Sequence, residues 1–263
     1  MGGDLARVDL RMRRRSTVAY AVGLALYTLV VVVLYPAFKD ATSLDETINQ
    51  SPGLAALFGV SGSITSPDGW MNANLYANFL PLIVLMLTIG YGAAALAGEE
   101  EAGRIDLVLA LPLSRRAILL QKAAVLLVLD VVVVVPTVLA VFAGRAFEID
   151  LAAGPVLTCT LGVVLLGAAF GVLALAIGGG TGQRGGAIGI TAALAAAAYL
   201  LSSLAPQVPA LKSWRPLSPF YWSVGNGQLS GGLGWDGLAV LVALCAAALV
   251  AAVIVFDRHD VRA

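Results

Sequence analysis

Long runs of apolar residues separated by short polar segments dominate this sequence. A helix that crosses a bilayer needs about 20 apolar residues at about 1.5 Å rise per residue, and six runs meet that requirement. They cover residues 17–37, 74–97, 117–143, 151–177, 187–204 and 237–256. Apolar residues are continuous along each run instead of alternating with polar ones, so the pattern predicts six transmembrane helices and no strands.

Composition supports an all-α integral membrane protein with one transmembrane domain over residues 1–263. Of the 263 residues, 59% are hydrophobic and 12% are charged, whereas about a quarter of the residues in a soluble domain are charged. The formal net charge is zero, so nothing global indicates binding to nucleic acid. Cys159 and Cys245 lie in different apolar runs, which predicts two separate buried thiols without a disulfide or a metal site.

The distribution of Arg and Lys predicts the orientation in the membrane. Of the 16 basic residues, 12 lie in the N-terminal segment, in the segments after the second and fourth runs, in the C-terminal tail, and at the start of the third run, where Lys122 lies. The positive-inside rule therefore places both termini in the cytoplasm. Trp70, Trp214, Trp222 and Trp235 all lie in the other loops, where we expect their indole rings at the outer membrane interface.

Further elements are expected at the membrane surfaces. Residues 1–16 combine four clustered arginines with apolar residues at helical spacing, which predicts an amphipathic helix lying in the headgroup layer. A secretory signal peptide is the alternative, but the run at 17–37 is too long and no small-residue cleavage site follows it. Residues 205–236 contain four prolines among aromatic residues, which favours an extracellular re-entrant or surface-lying hairpin. A small helix is expected around residues 52–58 of the first outer loop.

The segment between the second and third runs, residues 98–113, begins with three consecutive glutamates and continues as a short amphipathic run. The candidate docking residues, with the basic start of the next helix, are Glu99, Glu100, Glu101, Arg104, Asp106, Leu109, Arg115 and Arg116, and Ile105, Leu107, Val108 and Leu111 are also apolar. Acids are favoured at a helix N-terminus, and Ser114 can cap the helix that follows. A solvated loop is the alternative, but such a loop does not need apolar residues. We therefore favour a short surface helix that docks in a groove of a partner.

Asp130 lies near the middle of the third run. A charge at this depth costs a few kcal/mol or more unless it is paired, protonated or facing water. Steps of seven residues lead to Ala123 and Thr137, which predicts a small or polar stripe facing the bundle or a partner subunit. Asp130 and Thr137 are therefore candidates for a substrate or ion site in a pathway. A hydrogen bond to a neighbouring helix is the alternative role.

Small residues recur at four-residue spacing, a pattern that lets helices approach closely in lipid. The stripes are Gly90, Ala94 and Gly98; Gly167 and Gly171; and Gly185, Gly189, Ala193 and Ala197. We interpret them as packing faces and not as sites.

Two glycine-rich sequences imitate nucleotide-binding motifs. Residues 229–232, LSGG, match the signature of ATP-binding-cassette ATPases, but they fall in the predicted outer hairpin. Residues 178–186, GGGTGQRGG, lack the P-loop lysine and are better explained as a tight cytoplasmic turn. No lysine in the sequence follows a glycine, and no cluster suits catalysis or metal binding.

Three groups of residues carry a family resemblance. The central group is Glu100-Glu101, Gly103, Leu109, Leu111-Pro112, Ser114-Arg115 and Lys122; the weaker ones are Pro52-Gly53-Leu54 with Leu57-Phe58-Gly59, and Ser218-Pro219-Phe220. With these residues the chain resembles the permease subunits of ABC-2 type ATP-binding-cassette exporters, which include antibiotic-resistance and sodium exporters. The resemblance covers essentially the whole chain.

The resemblance implies that residues 98–113 form a coupling helix that seats in a separate ATP-binding-cassette ATPase subunit. A second permease, either a copy or a paralogue, would complete a dimer of six-helix bundles with the pathway between them. ATP and Mg would bind to the partner, and this chain would hold no cofactor and catalyse no reaction. The expected location is the inner (plasma) membrane of a bacterium.

Two alternatives remain open at this point. The first is a stand-alone secondary transporter or channel that uses Asp130 as an ion or proton site. It would require inverted repeats or broken helices, and the sequence shows no convincing repeat. The second is a membrane-embedded enzyme, for which the three glutamates at 99–101 lack suitable partners.

Overall fold

The computed structural model describes residues 4–41, 43, 45–46, 50–51, 53, 63–103 and 113–258. Regular structure within these ranges is entirely helical. The long helices are α1 (Asp4–Phe38), α2 (Phe79–Ala95), α3 (Arg115–Ala143), α4 (Ala153–Thr181), α5 (Arg184–Leu204) and α6 (Trp235–Arg258). Each belongs to a helical stretch that is long and apolar enough to cross a membrane; for α2 this stretch begins at Pro67. The predicted all-α fold with six membrane-spanning helices is therefore confirmed for this part of the chain.

Helix α4 forms the centre of the bundle. Helices α2 and α6 pack along it, α3 and α5 also contact it, and α1 lies against α3. A methyl group added at Gly167 would lie 2.4 Å from Val84 of α2, and one added at Gly171 would lie 2.6 Å from Leu126 of α3. The predicted packing face at Gly167 and Gly171 is therefore confirmed. Such close approach increases van der Waals contact, which drives helix association in lipid.

The other glycine stripes are not packing faces within this chain. Gly185, Gly189, Ala193 and Ala197 all lie on the exposed side of α5. A methyl group at Gly90, Gly185 or Gly189 would meet no described atom within 4 Å. Helix α5 is small-residue-rich on both sides, so the spacing alone could not identify the side that faces a neighbour. The stripe of α5 and the Gly90 position therefore pack against no described part of this chain, and their role as packing faces towards another subunit stays a prediction.

The N-terminal segment is not a separate interfacial helix. Helix α1 continues without a break from Asp4 to Phe38, because no helix-breaking residue separates the basic segment from the apolar run. The hydroxyls of Ser16 and Thr17 donate back to the carbonyl of Arg13, both at 2.9 Å. Leu5 and Leu10 pack against the core. The basic segment is thus the first part of a long helix that packs on the bundle.

Successive long helices run in opposite directions, so both ends of the described chain lie at one end of the bundle. We call this the basic end, and it contains residues 4–15, 96–103, 113–122, 178–184 and 256–258. Contacts of Lys122 with Asp9 and of Arg116 with Asp257 join its segments. The opposite end contains residues 63–78, 144–155 and 205–235, and there Ser230 donates to Asp68 at 2.6 Å.

The tryptophans at the opposite end occupy different environments. Trp214 and Trp235 are exposed, as an interfacial position requires. Trp70 is buried instead: its indole N–H donates to the carbonyl of Val31 at 2.9 Å, and its ring stacks on Phe38. Trp70 thus packs against α1 and does not face outward, and its depth at the outer membrane interface stays a prediction.

Residues 205–234 fold into short helical turns at Pro209–Lys212, Arg215–Leu217, Pro219–Ser223 and Gln228–Gly231. Arg215 ties this segment to α5, since its Nε donates to the carbonyl of Ser202 at 3.2 Å. Its guanidinium lies 4.9 Å from the ring centre of Tyr221, and burial lowers the pKa of Arg215 from its ordinary value. The re-entrant position of this hairpin remains a prediction. Most of the helix predicted around 52–58 lies outside the described residues.

Candidate coupling site and lateral groove

A short acidic helix, Ala97–Glu101, follows α2 at the basic end. Oε1 of Glu101 accepts a hydrogen bond from the backbone N–H of Arg184, the first residue of α5, at 2.8 Å. The carboxyl group of Glu100 lies beside Gly182, where an added methyl group would approach it to 2.8 Å. Glu99 is half-buried on the same helix. Two of the three acids therefore contact the turn between α4 and α5.

The start of α3 is fixed to the end of α6. Ser114 caps α3 by accepting from the backbone N–H of Ala117 at 3.2 Å, as the sequence predicts. Nε of Arg116 lies 2.8 Å from Oδ2 of Asp257. Arg115 donates to the carbonyl of Phe256 at 3.4 Å. Both arginines thus make contacts within the chain at the basic end.

Three predicted coupling residues, Arg104, Asp106 and Leu109, lie at 104–112, outside the described residues. On either side of these residues, Gly103 follows the acidic helix and Leu113 precedes α3. The structure therefore places Glu99, Glu100, Glu101, Arg115 and Arg116 at the same end of the bundle.

A buried charged cluster at the basic end was missed by sequence analysis. Nζ of Lys122 lies 2.7 Å from Oδ2 of Asp9, and the two side chains are only 3% and 14% exposed. The hydroxyl of Tyr91 donates to the same Asp9 oxygen at 2.9 Å, and Arg13 lies over the Tyr91 ring. The cluster joins α1 to α2 and α3, the helices on either side of the acidic helix and residues 104–112. An acid at position 9 within a basic segment is the one sequence feature that hints at this cluster. The sequence does not reveal its partner, because Lys122 lies 113 positions away.

Asp130 lies inside the bundle and is fully buried. Neither of its carboxyl oxygens has a hydrogen-bond partner among the described residues. A methyl group added at Gly167 would lie 2.7 Å from Oδ2 of Asp130, so the carboxyl group occupies the space that this glycine leaves on α4. Thr137 is also buried, and Ala123 and Gly144 complete the buried stripe. The stripe faces the bundle, one of the two predicted positions.

An apolar groove of about 540 Å³ lies between α2 and α5. Its sides include Leu82 and Met86 of α2 and Ala192 of α5, and these residues are exposed to the bundle exterior. At one end the hydroxyl of Tyr199 donates to the side-chain oxygen of Asn78. The groove is thus apolar along its length, and the Asn78–Tyr199 pair lies at the end of the groove that is farther from the basic end. Sequence analysis could not find it, because its two sides come from helices about 100 residues apart.

The two glycine-rich sequences adopt ordinary local structure. Helix α4 ends at Thr181, Gly182 has a φ of 65°, and α5 begins at Arg184. Residues 178–186 therefore contain the predicted tight turn. Residues 229–232 lie at the opposite end, where Ser230 contacts Asp68. Neither position resembles the strand-to-helix loop that holds phosphate in a P-loop.

Comparison with known proteins identifies one family. The model of the ABC-2 family transporter proteins matches residues 4–261, which include all six long helices and the segment between α2 and α3. No curated protein matches the chain significantly.

Proposed function

Because the chain belongs to the ABC-2 family of transporter proteins, we propose that it is the permease subunit of an ATP-binding-cassette exporter. In this role it forms the translocation pathway and receives energy from a separate ATPase subunit. The observation that carries the proposal is the extent of the family match over residues 4–261. The sequence itself contains no Gly-Lys-Ser or Gly-Lys-Thr, so we assign ATP and Mg to the partner.

We assign the basic end to the cytoplasm. Arg and Lys are concentrated there, and the positive-inside rule then places both chain ends on the cytoplasmic side. The acidic helix and the start of α3 belong to the same end, so residues 98–113 would be accessible to a cytoplasmic ATPase. The expected location is the inner membrane of a bacterium.

In the proposed mechanism, residues 98–113 seat in the ATPase. Arg104, Asp106 and the apolar Leu109 would form the docking surface. Glu99, Glu100, Glu101, Arg115 and Arg116 would link that surface to the bundle. Closure of two ATPase subunits on ATP would then move the segment and the helices attached to it.

The groove between α2 and α5 is the part of the pathway that we assign to this chain. A second permease, a copy or a paralogue, would close its open side. An apolar lining with the Asn78–Tyr199 pair at one end suits an amphipathic substrate, since apolar pockets with a few fixed polar groups orient such ligands.

The proposal is tested by expressing the tagged chain with an ATP-binding-cassette ATPase from the same organism. We expect the two proteins to co-purify. In proteoliposomes, the complex should export a fluorescent amphipathic dye such as ethidium only when ATP is present. Replacing the P-loop lysine of the ATPase by Ala should abolish export without dissociating the complex. Dye export by the purified chain alone, without ATPase or ATP, would contradict the proposal.

A stand-alone transporter or channel is the second candidate, because the buried Asp130 has no hydrogen-bond partner among the described residues. Such a carboxyl group is a default candidate for an ion or proton site. Asp130→Asn keeps the size of the side chain but cannot ionise. If Asp130 carries protons or ions, the unsubstituted chain transports in response to a proton or ion gradient and this variant does not. If Asp130 only packs against Gly167, ATP-driven export continues.

A further inference from the structure

Glu101 holds the first residue of α5, and α5 forms one side of the groove. We propose that Glu101, assisted by Glu100, is a positioning residue that transmits movement of the coupling segment to α5, and that it does not bind the ATPase. This inference rests on the proposed function, because it assigns the route by which ATP-driven movement reaches the pathway.

Glu101 contacts the N-terminus of α5 directly. The first N–H groups of a helix have no partners within the helix, and the N-cap residue Gln183 makes no side-chain capping bond in the described structure. Glu101 supplies the acceptor at 2.8 Å. A carboxylate is favoured there by the helix dipole, and its hydrogen bond to a backbone N–H is charge-assisted. The residue that caps α5 thus belongs to a different helix.

The acidic helix contacts the turn before α5 at more than one residue. Gly182, which ends α4 with a φ of 65°, leaves room that the Glu100 carboxyl group occupies. A methyl group added at Gly98 would lie 4.0 Å from the side chain of Arg184. Three residues of the acidic helix therefore meet the same turn. The acidic helix and the start of α5 would be displaced together.

Helix α5 is only sparsely packed on the rest of the bundle. Its buried residues are Ala187, Thr191, Ala195 and Ser202, and most of its remaining surface is exposed. At its other end, the Ser218 hydroxyl donates to the carbonyl of Ala198 at 2.6 Å. A helix anchored near both ends and sparsely packed between them can shift as a unit. Shifts of about 1–2 Å are typical of switching helices and would change the width of the groove.

Glu101 is exposed on its other side, so a direct contact with the ATPase is the competing role. The two roles predict different consequences for Glu101→Ala. If Glu101 binds the ATPase, less ATPase co-purifies. If Glu101 positions α5, the ATPase stays bound but α5 no longer responds to ATP.

The experiment follows α5 with a fluorophore in the complete complex in nanodiscs. Both native cysteines are replaced by Ser, and Ala193→Cys, on the exposed side of α5, carries an environment-sensitive label. Val250→Cys, on the exposed side of α6, is the control label position. A non-hydrolysable ATP analogue should change the fluorescence at 193 in the otherwise unchanged complex. Glu101→Ala should abolish this change with an unaltered ratio of ATPase to permease. Glu101→Gln should retain it, because the amide oxygen can accept the same hydrogen bond.

Gly182→Asn provides an independent variant, since Asn tolerates positive φ and its side chain would displace the Glu100 carboxyl group. It should weaken the response at 193, and it replaces Glu101→Ala if that variant does not assemble. An undiminished response in both variants would overturn the inference, as would a lower ATPase ratio in Glu101→Ala. If the unsubstituted chain neither binds the ATPase nor responds at 193, the proposed function itself fails and the inference with it.

Discussion

Lys122 and Asp9 bring opposite charges into the interior of the basic end. Burying two charges costs several kcal/mol per ion, and a close, hydrogen-bonded pair recovers that cost. Here the pair is 2.7 Å apart, and Tyr91 adds a second hydrogen bond to Asp9. The arrangement locks the first turns of α1 to α2 and α3. Removing one partner would leave the other charge buried without compensation.

Lys122→Met should therefore destabilise the protein by about 3 kcal/mol. The double variant Asp9→Asn/Lys122→Met should recover most of this loss, because neither buried charge remains. The measurement is the midpoint of thermal unfolding in detergent, with the exposed Lys212→Met as the matched control. Equal midpoints for Lys122→Met and Lys212→Met would show that the buried pair contributes nothing.

Sequence analysis could identify these residues only as charges at a membrane surface. The basic neighbours Arg115 and Arg116 predict a cytoplasmic position for Lys122, and nothing in the sequence indicates that its side chain is buried. The same holds for Glu101: its acceptor role depends on Arg184, 83 positions away. Asp130 was easier to predict, because a single acid within a long apolar run has few alternatives to the interior of a bundle.

At the scale of the elements, apolar length predicts the six helices well, since lipid offers no partner for a backbone that is not helical. Helix ends are predicted less well. The predicted second run begins at residue 74, whereas in the structure residues 72–76 form a π-helical turn that leads from Pro67–Met71 towards α2. The N-terminal segment is likewise part of α1, because the change from polar to apolar residues near residue 16 does not interrupt the helical backbone.

Glycines on α2 provide a matched pair for testing helix packing. A methyl group at Gly92 would lie 2.0 Å from the carbonyl oxygen of Gly171 on α4, whereas one at Gly90 would meet no described atom within 4 Å. Gly92→Ala should destabilise the protein by about 1–3 kcal/mol, because backbone cannot move aside as a side chain can. Gly90→Ala should be neutral or stabilising by up to about 1 kcal/mol through helix propensity. The measurement is the thermal unfolding midpoint of each variant in detergent. Similar midpoints for Gly92→Ala and Gly90→Ala would contradict the close contact between α2 and α4.

At the scale of the whole molecule, α4 fills the centre and α5 lies at the periphery beside the groove. The exposed glycine and alanine stripe of α5 and the open side of the groove both face away from the bundle. In a dimer of six-helix bundles, this is the surface that we assign to the pathway and to the second permease. The assignment depends on which helices are neighbours, which no property of a single apolar run reveals.

Two positions on α5 separate a role in the pathway from general tolerance to bulky residues. Ala192 lines the groove, whereas Leu194, two residues away, is exposed and does not line it. The indole ring of Ala192→Trp would occupy much of the space between α2 and α5, so this variant should lose most export of the dye that the unsubstituted complex exports. Leu194→Trp adds an aromatic ring to the same helix and should retain export. Initial export rates from proteoliposomes, with equal amounts of co-purified ATPase, provide the comparison. Because both variants place tryptophan on the exposed side of one helix, equal export by the two would mean that substrate does not pass through this groove.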